Sequence, residues 1–113
     1  MLDTAPLTAV VERFADWLRA APQSRLQQGA AAVARDLACE LSVRAQRLED
    51  PRTDLREMPD AGLFVVGDQV AVAGLDLAEA LRAAPGRDGT TAPSEMLDEA
   101  VRLVEQAEVR AKR

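Results

Sequence analysis

The chain has 113 residues, 48% of them apolar, with a net charge of −5. That length fits a single domain spanning 1–113, and the balance of apolar and charged residues excludes a disordered chain. The acidic balance argues against nucleic acid as a general partner, and no apolar run approaches the roughly 20 residues that cross a bilayer.

Asp3-Thr4 precedes Pro6, which a first helical turn tolerates, and Leu7, Val10, Val11, Phe14, Trp17, Leu18 and Ala21 follow at helical spacing. This predicts an amphipathic first helix ended by Pro22. Ser24 and Gln27 have the spacing of a capping box and open a second helix. Its apolar positions run from Leu26 to Leu48, about 25 residues or near 37 Å, with a favourable Glu40–Arg44 pair on its side.

Residues 51–61 are polar and bracketed by Pro51 and Pro59, a loop with room for one helical turn and with Leu55 and Met58 as its apolar anchors. Residues 62–74, GLFVVGDQVAVAG, read as two β-branched runs joined by Gly67-Asp68, a two-residue turn with Gly in its first central position. In that register Leu63, Val65, Val70 and Val72 share one face, while Phe64, Val66, Gln69, Ala71 and Ala73 share the other. Neither face suits water. Leu75 to Ala84 predicts a short third helix, 85–92 a turn-rich loop, and Pro93 onward a last helix with Leu97, Ala100, Val101, Val104, Ala107 and Ala111 in one stripe. That helix starts acidic and ends basic, which complements its dipole.

The fold class expected from this pattern is mainly α, with an α+β element: about four helices and one β-hairpin inserted after the long second helix. Its core leans on alanine, with only Phe14, Trp17 and Phe64 as aromatics. Thin cores gain stability by sharing an interface.

The chain contains no His and no Tyr, so neither Ser-His-Asp nor Cys-His catalysis can be assembled within one subunit. Glycine spacing matches no phosphate-binding loop. Cys39, the only cysteine, excludes an internal disulfide and reads as a small packed side chain rather than a reactive thiol. Asp54, Glu57 and Asp60, like Asp76 and Glu79, are carboxylates without a defined cation loop. Arg44, Arg47, Arg52 and Arg56 are interleaved with acids, which favours a solvated face over a phosphate contact. Trp17 and Phe64 have the spacing of core residues more than of a ligand pocket. No catalytic, cofactor-binding or metal-ligating residue is assigned, and no cofactor is expected.

The functional expectation is a non-catalytic protein–protein interaction or adaptor module, self-associating as a homodimer through its hairpin or its long helix. The candidate interface is Phe64, Val66, Gln69, Ala71 and Ala73. The alternatives are a small DNA-associated regulator, with the hairpin as a wing, and a helical domain that binds a small molecule between its helices. The absence of a leader or a membrane span predicts a cytoplasmic protein, with a further protein partner possible.

Overall fold

A computed structural model describes residues 2–52, 54–84 and 92–113. Four long helices dominate: α1 (Ala5–Ala20), α2 (Ala31–Glu49), α3 (Val66–Ala83) and α4 (Pro93–Lys112). Pro6 occupies the first turn of α1 and Pro93 that of α4, where the missing N–H costs nothing. The expected bounds of these two helices hold.

The long second helix is not continuous. A turn at Gln23–Arg25 leads into a π-type segment, Leu26–Ala30, in which Gly29 adopts φ +136° before α2 begins. Only glycine enters that region without strain, and open space surrounds the place where its Cβ would be. The Ser24 capping box does not form: Pro22 precedes the turn and no side chain caps it.

The hairpin expected at 62–74 is absent, and the α+β class is corrected to all-α, for there is no strand among the described residues. Gly62, at φ +98°, turns the chain into a short 3-10 turn, Leu63–Val65, which runs directly into α3. The physical reason lies in the spacing. Val66, Val70, Ala73, Leu77 and Leu81 recur at three- and four-residue steps and are all buried, so one helical face covers more core than two pleated faces could. Asp68, assigned above to a turn, stands in the first turn of α3, where a carboxylate complements the helix dipole. The short helix expected from Leu75 is therefore the second half of α3. Residues 54–62 carry no helix, and the loop expected at 85–92 falls outside the described residues except for Ala92.

The helices pack so that α3 lies against both α1 and α2, and α4 also joins α1 and α2. The segment expected to form a hairpin is thus a central support of the core. Two glycines make its fit to α1 possible. A Cβ at Gly74 would stand 2.5 Å from Val11 Cγ1, and one at Gly67 would stand 3.0 Å from the carbonyl oxygen of Ala15. Alanine lines much of the remaining interior, including Ala34, Ala38, Ala78 and Ala100. Small side chains let helix axes approach, which is how so few large residues fill the space.

Candidate functional site

On α3 successive residues turn by about 100°, so the inward stripe leaves an outward one carrying Asp68, Ala71, Val72, Leu75, Glu79 and Arg82, with Phe64 just before it on the 3-10 turn. Three of these are large and apolar yet exposed: Phe64 at 71%, Val72 at 58% and Leu75 at 46%. Single exposed apolar residues are ordinary, but Val72 and Leu75 stand one turn apart on one helical face. Asp68 is tied to α1 by Arg19, whose Nε and Nη2 lie 2.9 and 2.8 Å from Oδ1. This bond draws the guanidinium of Arg19 to the start of α3 and raises its pKa above the usual value, chiefly through the hydrogen bond.

The helix disperses the five residues grouped by the ribbon pattern. Phe64 points to solvent, Ala71 is half-buried, and Val66 and Ala73 are in the core. Gln69 is half-buried and donates from Nε2 to the carbonyl of Pro59 at 2.9 Å, fastening the 54–62 segment to α3. Val72 and Leu75 are the additions. Continuing the four-and-three spacing of Val66, Val70, Ala73 and Leu77 would have placed both on the opposite side in the sequence alone.

Among the grooves elsewhere, two involve sequence candidates. One, of about 440 Å³, runs beside Trp17, Pro22, Ser24, Arg25 and Gln28. The half-buried Trp17 ring lies 6.2 Å from that of Phe14, with the Arg25 guanidinium 5.9 Å and the Lys112 ammonium 5.5 Å from its centre. Trp17 is therefore a packing residue where α1, the π-type segment and α4 converge. Phe64, expected in the core, is not. The other groove, of about 420 Å³, lies between α2 and the 54–62 segment and includes Arg35, Cys39, Ser42, Leu55 and Met58. Arg35 Nη2 donates to the carbonyl of Met58 at 3.0 Å, and Cys39 is a half-buried free thiol.

Among the charged candidates, Arg44 is engaged by acids on two helices. Arg44 binds Glu40 on its own helix at 3.0 Å and Glu99 of α4 at 2.9 Å. Among the described residues no three Cys, Asp or Glu side chains gather closely enough to hold a metal ion, so Asp54, Glu57 and Asp60 are not brought together as ligands. None of the described helices is long and apolar enough to cross a membrane.

One buried charge needs separate explanation. Glu108 is only 7% exposed, and its carboxylate accepts from Arg13 Nη2 at 2.8 Å and Arg13 Nε at 3.1 Å, and from Lys112 Nζ at 3.2 Å. Burial pushes its pKa up, but these bonds outweigh burial and hold it below the ordinary carboxylate value. This cluster clamps α4 onto α1.

Comparison with protein-family models, with curated proteins and with solved structures finds no match for this chain. The reading of function therefore rests on the surface of α3.

Proposed function

We propose that this chain is a non-catalytic interaction module that self-associates through the outward face of α3. The observation that carries the reading is the exposure of Val72 and Leu75 on one side of α3, with exposed Phe64 on the 3-10 turn that leads into it. A second copy is the occupant that the charges favour, because the same face carries exposed Asp68 and Arg82 on either side of Leu75 and can complement itself. Pairing would shelter the apolar patch, and the lack of histidine removes the commonest general base from any catalytic alternative.

Sedimentation or light scattering at micromolar concentration tests this. The native chain is expected to be a dimer, and Val72→Lys or Phe64→Ser a folded monomer, because both side chains are exposed and neither supports the core. A native chain that is monomeric throughout would overturn the reading.

A further inference from the structure

Resting on that self-association, we infer that two α3 helices pair antiparallel about a two-fold axis passing beside Leu75, with Asp68 of each copy meeting Arg82 of the other. The inference comes from the outward face itself. Asp68, Leu75 and Arg82 are spaced by seven residues, all three are exposed, and two heptads of helix keep them along one line about 21 Å long. Leu75 lies midway between the two opposite charges. A two-fold axis sets residue i against j and j against i, so antiparallel pairing centred on Leu75 matches each acid with the other copy's base.

Two neighbouring centres fail on charge. An axis beside Val72 would place Asp68 against Asp76 of the other copy, and one between Ala73 and Gly74 would place Asp68 against Glu79. Like charges held opposite one another oppose association. Centred on Leu75, Asp76 faces Gly74 and Glu79 faces Ala71, so no acid meets an acid. The same register lays Arg82 beside Phe64, one turn before Asp68, where a guanidinium can sit over the ring. Arg19 already binds Asp68 through Oδ1, and Arg82 of the second copy would take Oδ2.

The test is a charge exchange between copies. Asp68→Arg alone sets arginine against Arg82 in both pairs, and Arg82→Asp alone sets aspartate against Asp68. Each variant by itself should dimerise roughly tenfold more weakly than the native chain. Mixed in equal amounts, the two variants restore both opposite-charge pairs and should form a one-to-one heterodimer with near-native affinity. Helical content measured by circular dichroism would show that both remain folded. A native dimer with no preference for the mixed pair would overturn this register while leaving the self-association reading intact. A dimer that persists in Leu75→Lys would place the contact away from α3 and overturn both.

Discussion

Helix α1 is held on two sides by different physics. Toward α3 the contact is steric: Gly67 and Gly74 remove side chains so that Ala15 and Val11 can settle against the backbone of α3. Toward α4 it is electrostatic, with Arg13 and Lys112 converging on the buried carboxylate of Glu108. The buried part of the first seam depends on shape, with the exposed Arg19–Asp68 pair at its edge, while the second holds its strength only while the buried carboxyl of Glu108 stays ionised. A small chain with few large side chains thus fixes one helix by two independent means.

The largest expected effect breaks the steric seam. Gly74→Val places its Cβ within the volume of Val11 and should cost about 3 kcal/mol in denaturant unfolding, part of which returns when Val11→Ala is added. Glu108→Gln comes next, at about 1–2 kcal/mol near neutral pH, because charge-assisted bonds are exchanged for neutral ones. The same variant sharpens the contrast through pH. Because the folded carboxyl titrates below its ordinary value, its contribution is complete above that value and disappears as pH falls through the folded one. Native stability should therefore decline on acidification below about pH 5 more steeply than that of Glu108→Gln. The smallest effect should be that of Gly67→Ala, a loss of about 1 kcal/mol, since better helix propensity offsets only part of the 3.0 Å approach to the Ala15 carbonyl. In a hairpin turn that needs a positive φ, the same change would be far more damaging.

These glycines also explain what could be read from the residues and what could not. Helices α1 and α4 were legible because apolar stripes and a first-turn proline agree in each, and in α4 the end charges agree as well. In 62–74 the cues compete. Valines favour strands by propensity, and Gly67-Asp68 has turn chemistry, yet the three- and four-residue spacing of Val66, Val70, Ala73 and Leu77 spans both glycines without interruption. Local preference was overruled by burial against α1 and α2, a non-local quantity that no window of thirteen residues contains. The π-type segment was equally hidden, since Gly29 in a helical pattern looks only like a weak position. At the candidate site Phe64 was marked by its apolar character, but Val72 and Leu75 emerge only once the helical turn per residue replaces the alternation of a strand.

The abundance of alanine in the interior has a dynamic consequence. An alanine side chain has no rotamer to lose, so ordering positions such as Ala34, Ala38, Ala73, Ala78 and Ala100 restricts the backbone and little else. Where leucine-rich interiors retain some freedom by hopping between side-chain wells, methyl groups bonded directly to Cα must move with the main chain. Methyl relaxation measured by NMR at these alanines would therefore report the rigidity of the helices themselves.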